Sequence, residues 1–110
     1  MRAIEVFRIR PKKGDVDTIA VYQVGEKYLS AECRKWTIKF YLTDQKPRRY
    51  LGAKYLRHML DDEPVQIGKA DTPKTGAANL RPTYQVGAFK HKIFKPYKLA
   101  QLLDYIAESL

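Results

Sequence analysis

The chain has 110 residues, a length that predicts one domain over residues 1–110 with room for a single hydrophobic core. Its 21 lysines and arginines outnumber its 12 acidic residues, which gives a formal net charge of +9. No run of about 18 apolar residues predicts a membrane helix, and the N-terminal residues lack a signal-peptide pattern. Cys33 is the single cysteine, so an internal disulfide is excluded. We therefore expect a cytoplasmic protein without a membrane partner.

Alternating apolar and polar residues predict strands in the first half of the chain. Residues 2–10 carry apolar side chains on both faces, residues 18–24 are rich in β-branched residues, and residues 28–32 make a short third strand. Residues 35–43 alternate most regularly, which is typical of a half-buried antiparallel strand. The expected core face of this last strand consists of Trp36, Ile38, Phe40 and Leu42.

Helical spacing of apolar residues predicts two amphipathic helices. The first runs from Arg48 to Asp62, and the second begins at Pro96 and buries Leu99, Leu102, Leu103 and Ile106. Between them, residues 64–82 hold glycines and prolines that predict a long loop, and residues 83–94 return to a strand pattern. The predicted fold is therefore α+β: an antiparallel sheet of about four to five strands with two amphipathic helices packed on one face.

Both predicted helices begin with a lysine–proline pair, Lys46-Pro47 and Lys95-Pro96. Proline suits the first helical position, whereas cations are unfavourable there because the helix dipole is positive at that end. A basic helix start beside unpaired backbone N–H groups can bind an external anion, above all a phosphate. The sequence therefore predicts an anion site at each start.

Basic residues alternate with tyrosines around these positions, and this pattern predicts nucleic-acid binding. Cations can contact a phosphate backbone while exposed aromatic rings stack on bases. We expect a small, non-enzymatic protein that binds single-stranded DNA or RNA with low sequence specificity, since phosphate contacts carry no base information. The predicted binding residues are Arg34, Lys35, Lys39, Tyr41, Lys46, Arg48, Arg49, Tyr50, Lys54, Lys90, Lys92, Lys95, Tyr97 and Lys98.

Two other functions remain open at this stage. A compact basic protein could bind an acidic protein partner, as an inhibitor of phage or virus type does, and a homodimer is also compatible with the sequence. The acids at 61–63 could serve a metal-dependent nuclease, but consecutive residues at a helix end rarely converge on one ion. His58 and His91 lack partners at metal-ligand spacing, and no nucleotide-binding motif is complete. We therefore predict no metal ligands, no catalytic residues and no cofactor.

Overall fold

The computed structural model describes residues 2–9, 15–49, 51–71, 84–87 and 96–110. Its strands form one sheet in which neighbours in space are neighbours in sequence, and every pairing is antiparallel. The sheet has seven strands, of which the last two are short: β1 Glu5–Arg8, β2 Thr18–Val24, β3 Lys27–Cys33, β4 Thr37–Thr43, β5 Val65–Asp71, β6 Tyr84–Gly87 and β7 Pro96–Tyr97. One α-helix, α1, follows at Leu99–Ser109. The predicted antiparallel sheet is confirmed.

Strands β2 and β3 form a hairpin whose turn contains Gly25. Val24 pairs with Lys27, so two residues make the turn. Gly25 has a φ of 61°, a left-handed conformation that glycine adopts without a steric penalty. In β2, Ile19, Ala20, Val21 and Tyr22 are all buried, which requires that both faces of the sheet are covered.

Helix α1 covers one face and builds the helix-side core. Ile38 and Phe40 of β4 are buried there together with Leu102, Leu103 and Ile106 of the helix. This contact between strand and helix was predicted from the two periodicities and is confirmed. The prediction was wrong for Trp36, which is 43% exposed. Trp36 precedes the first residue of β4, and the Lys35 ammonium lies 5.1 Å from the centre of its ring.

The opposite face is covered by the connection between β4 and β5, whose described residues 44–49 and 51–64 we call the covering segment. Although β4 and β5 pair directly, this connection extends over β2 and β1. Leu56 and Met59 are buried there against residues in and just before the first two strands, and together they form the loop-side core: Phe7, Val16, Ile19 and Val21. The sheet thus has an α-helix on one face and an irregular segment on the other.

The helix predicted at residues 48–62 is wrong, and with it the prediction of two helices on one face. The covering segment contains a single 3-10 turn, Leu56–Met59, with extended backbone at Tyr55 and Leu60 on either side. Gly52 has a φ of 85°, which ends any helix before this turn. Leu56 and Met59 are three residues apart, so one turn is enough to bury both. This short turn produced the helical spacing in the sequence.

The long loop predicted at residues 64–82 is also wrong over its first part, because Val65–Asp71 forms β5. The pairing with β4 shifts between Phe40 and Tyr41, where Phe40 faces Gly68 and Tyr41 faces Gln66. Ile67 is therefore an extra residue, a β-bulge. A bulge interrupts the alternation by which strands are recognised in sequence. Residues 72–83 and 88–95, which complete the predicted loop and strand, lie outside the described residues.

Replacing Leu102 with alanine tests the helix-side core. Leu102 is fully buried, so we expect Leu102→Ala to lower the free energy of unfolding by about 2–5 kcal/mol. Leu110→Ala is the control, because Leu110, which follows the last residue of α1, is 50% exposed. Chemical denaturation of both variants measures the difference. Equal losses of stability would show that α1 does not pack on the sheet.

Candidate nucleic-acid interface

A buried carboxylate fixes the covering segment to the sheet. Glu32 of β3 is only 3% exposed. Its Oε2 accepts a hydrogen bond from the backbone N–H of Leu56 at 2.9 Å, and its Oε1 lies 2.8 Å from Arg34 Nη1. Burying a charge is costly without such partners. The first N–H of the 3-10 turn is thereby joined to the centre of the sheet.

Arg34 is close enough to Glu32 for an ion pair, but its buried Nη1 makes no hydrogen bond to a described residue. We therefore treat this contact as charge attraction, and the bond from Leu56 as the directional one. Arg34 keeps donor capacity for another group.

Polar contacts within the covering segment close it on itself. The Arg48 N–H donates to the Met59 carbonyl at 2.9 Å, and the Gln45 side chain bonds both the N–H and the carboxylate of Asp61. His58 Nδ1 accepts from the backbone N–H groups of Lys54 and Tyr55 at 3.1 and 3.3 Å. Such closure is typical of a compact Ω-type loop, and it holds the exposed side chains in place.

On one side of the covering segment lies a polar cleft of about 330 Å³. Three acids and three cations line it together with two tyrosines: Asp15, Glu32, Glu63, Arg34, Lys39, Arg57, Tyr41 and Tyr55. The Tyr55 hydroxyl donates to Asp15 Oδ1 at 3.1 Å, and the Arg57 guanidinium lies 4.9 Å from the Tyr55 ring centre. The cleft can therefore offer hydrogen-bond donors and acceptors to one ligand.

The tyrosines of the cleft stay protonated at neutral pH. Burial raises the pKa of Tyr41, and the Glu32 charge raises it further, while Arg34 and Arg57 oppose the shift. The hydrogen bond to Asp15 raises the pKa of Tyr55. A neutral phenol can both donate and accept a hydrogen bond, so Tyr41 is available to either kind of ligand group.

On the other side of the covering segment lies a larger open groove of about 740 Å³. Its apolar lining includes Phe7, Ile9 and Met59, and Leu51 at its edge is 99% exposed. Its charged lining residues are all cations: Arg8, Arg49 and Lys54. Within the described part of the chain, none of these three forms an ion pair. The groove thus combines uncompensated positive charge with an apolar floor.

The structure divides the predicted binding residues between these two sites and elsewhere. Arg34, Lys39 and Tyr41 line the cleft, and Arg49 and Lys54 line the groove. Sequence reasoning did not select Arg8 or Glu63, and it placed Arg57 on a helix that does not form. These residues line the groove and the cleft because the covering segment crosses the sheet next to them. No local pattern in the sequence predicts that path.

Other predicted residues are paired or lie elsewhere. Lys46 is 3.6 Å from Glu5, and Arg48 is 3.1 Å from Asp61, while Lys35 lies over Trp36. Lys98 precedes α1. Only the backbone of Tyr97 is described, and four predicted residues lie outside the described ranges: Tyr50, Lys90, Lys92 and Lys95.

The predicted anion site at the first helix start is wrong, because no helix begins at Arg48. The second start is shifted: α1 begins at Leu99, and the Lys98 N–H donates to the Gln101 side chain at 3.4 Å. Of the acids at 61–63, Asp61 accepts hydrogen bonds from the side chains of Gln45 and Arg48. Among the described residues, no group of three His, Cys, Asp or Glu side chains comes together as metal ligands would.

No family model, no curated protein and no solved structure matches this chain. Function is therefore inferred from the geometry of the groove and cleft. Across the ranges that the structure describes, no helix is both long and apolar enough to cross a bilayer.

Replacing Glu32 tests the anchor of the covering segment. Glu32→Ala leaves the Leu56 N–H and Arg34 without their buried partner. We therefore expect it to lower the free energy of unfolding by about 3 kcal/mol. Glu32→Gln should cost less, because its amide oxygen can still accept from Leu56. Glu26→Ala, at the exposed β2–β3 turn, is the control. If Glu32→Ala is no more harmful than this control, Glu32 is not the anchor.

Cys33 should be unreactive in the folded protein. Burial raises its thiol pKa to about 12, so only about one molecule in ten thousand carries a thiolate at pH 8. The pKa of Cys33 is higher in the folded than in the unfolded protein, so the folded state holds this proton more tightly. The stability that this difference contributes is fully present below the unfolded pKa and is lost as pH rises towards 12. We expect negligible alkylation by iodoacetamide at pH 8 and rapid alkylation after unfolding. Rapid alkylation of native protein would contradict the burial of Cys33.

Proposed function

We propose that the protein binds single-stranded DNA or RNA without catalysing a reaction, and that the groove beside the covering segment receives the strand. The groove carries this proposal, because Arg8, Arg49 and Lys54 are its charged residues and no acid lines it. The net charge of +9 adds a long-range attraction for polyanions. A cytoplasmic location belongs to the same proposal.

Each part of the groove suits a different part of a nucleic acid. Cations that release counterions from phosphates supply most of the affinity in sequence-independent binding. The apolar floor can contact the faces of sugars and bases, which are exposed in single strands and hidden in duplexes. Contacts of these two kinds discriminate weakly between sequences, so this groove alone favours low specificity.

The proposed surface leaves out Lys39 and Tyr41, which the sequence indicated as binding residues. Lys39 and Tyr41 of β4 do project away from helix α1, but the covering segment lies on that face and encloses them in the cleft. The phosphate-binding cations of the proposal are therefore those on the other side of the segment. Arg49 and Lys54 belong to both interpretations.

An acidic protein partner is the second candidate, and Leu51 is the observation that favours it. A leucine that is 99% exposed at the edge of a basic groove could insert between apolar side chains of an acidic partner. Nucleic acid is preferred because the groove offers three cations without a compensating acid. A homodimer remains compatible with either function.

The double variant Arg49→Ala/Lys54→Ala tests the groove. For single-stranded oligonucleotides, we expect weaker binding and a slope of log K against log salt concentration that is less negative by about 1.4, or about 0.7 for each lost phosphate contact. Fluorescence anisotropy with labelled oligothymidylate and oligouridylate at several salt concentrations measures both quantities.

A second double variant with the same loss of positive charge shows whether the groove cations contact phosphates directly or only add to the protein's overall attraction for a polyanion. Lys27→Ala/Lys69→Ala removes one cation from the start of β3 and one from β5, and neither residue lines the groove. Its slope should stay close to that of the wild type. Equal slopes for the two double variants would remove the groove from the interface. Failure of the wild type to bind any oligonucleotide would favour the acidic protein partner.

A further inference from the structure

We propose that the polar cleft is a base pocket that selects guanine from the strand bound in the groove. Its cations would bind O6 and N7 of that base, and the Glu63 carboxylate would bind its N1–H and N2–H₂ groups. This inference rests on the proposed function for its biological role, but not for its physical test. According to this proposal, one nucleotide of the bound strand is selected by its base, while the rest of the strand binds without sequence preference.

The cleft has the size and position that such a pocket needs. Its volume of about 330 Å³ is at the small end for ligand sites and has room for one base. Lys54 lines the groove, and the next residue, Tyr55, lines the cleft. Adjacent Cα atoms are about 3.8 Å apart, so only the width of one chain segment separates the two sites. A strand in the groove can therefore turn one base across that segment.

Existing contacts decide which groups of the cleft are available. Asp15 accepts from Tyr55, and Glu32 holds Leu56 and Arg34. In the described ranges, Glu63 and Lys39 have no hydrogen bond or ion pair, and Arg57 contacts only the Tyr55 ring. Apart from the donor capacity that Arg34 keeps, the free set is one carboxylate with two cationic donors, next to the neutral hydroxyl of Tyr41.

This set matches guanine better than the other bases. Arg and Lys donate to O6 and N7 of guanine in its commonest specific contact. A carboxylate offers two acceptor oxygens, and the N1–H and N2–H₂ of unpaired guanine are two adjacent donors. Adenine, cytosine and uracil do not present two adjacent donors on one edge.

Titrations with free nucleotides test the pocket without a polyanion. NMR chemical shifts of the labelled protein should report GMP binding about ten-fold tighter than AMP, CMP or UMP binding. IMP, which lacks the 2-amino group, should bind more weakly than GMP. Glu63→Gln should lower the affinity for GMP about ten-fold and leave that for IMP nearly unchanged. Asp62→Asn is the control, because the adjacent acid does not line the cleft.

An oligonucleotide experiment separates this inference from the proposed function. Oligouridylate with one central guanosine should bind wild type more tightly than plain oligouridylate, and Glu63→Gln should remove that preference. If both oligonucleotides bind equally and GMP shows no advantage, the base pocket is refuted while the groove proposal stands. If GMP binds selectively but neither oligonucleotide binds, the pocket stands and the proposed function fails. Loss of GMP binding in Asp62→Asn would also overturn the assignment of Glu63.

Discussion

The hydrogen bond from the Leu56 N–H to the buried Glu32 carboxylate joins the two parts of the molecule on which the candidate sites depend. A carboxylate at this depth would be unfavourable without compensation, and it receives both a backbone donor and the charge of Arg34. The apolar contacts of Leu56 and Met59 with the loop-side core supply attraction without direction. The hydrogen bond to Glu32 fixes where the segment lies on the sheet, because the Leu56 N–H must point at one carboxylate oxygen.

Both candidate sites exist because the covering segment crosses the sheet along this path. Its Lys54 borders the groove near β1, whereas its Tyr55 and Arg57 border the cleft near β3 and β4. The two sites differ in charge for a physical reason. Asp15, Glu32 and Glu63 bring negative charge to the cations of the cleft, whereas the groove has no acid in its lining. The same segment therefore borders a cationic groove on one side and a mixed polar cleft on the other.

Local patterns in the sequence predicted the elements that alternate regularly and failed where tertiary contacts decide. The burial of Ile38 and Phe40 in β4 follows from a period of two residues, and the structure confirms it. The burial of Leu102, Leu103 and Ile106 in α1 follows from a period of 3.6 residues and is confirmed in the same way. The residues around Leu56 and Met59 have the spacing of a helix, but Gly52 and the contact with Glu32 produce a single 3-10 turn instead. The bulge at Ile67 concealed β5 in the same way. The candidate sites could be predicted only by residue type, since Arg8 and Arg49 meet through the path of the chain.

The most direct test of this account is hydrogen exchange of the Leu56 amide, measured by NMR in the wild-type protein and in Glu32→Ala. Because this N–H is bonded to a buried carboxylate, we expect it to exchange slowly in the wild type, like the amides of the central strands. In Glu32→Ala its exchange should accelerate much more than that of α1 amides such as Leu103. Wild-type exchange at the rate of an unstructured peptide would contradict the anchoring of the covering segment, and with it the proposed arrangement of groove and cleft.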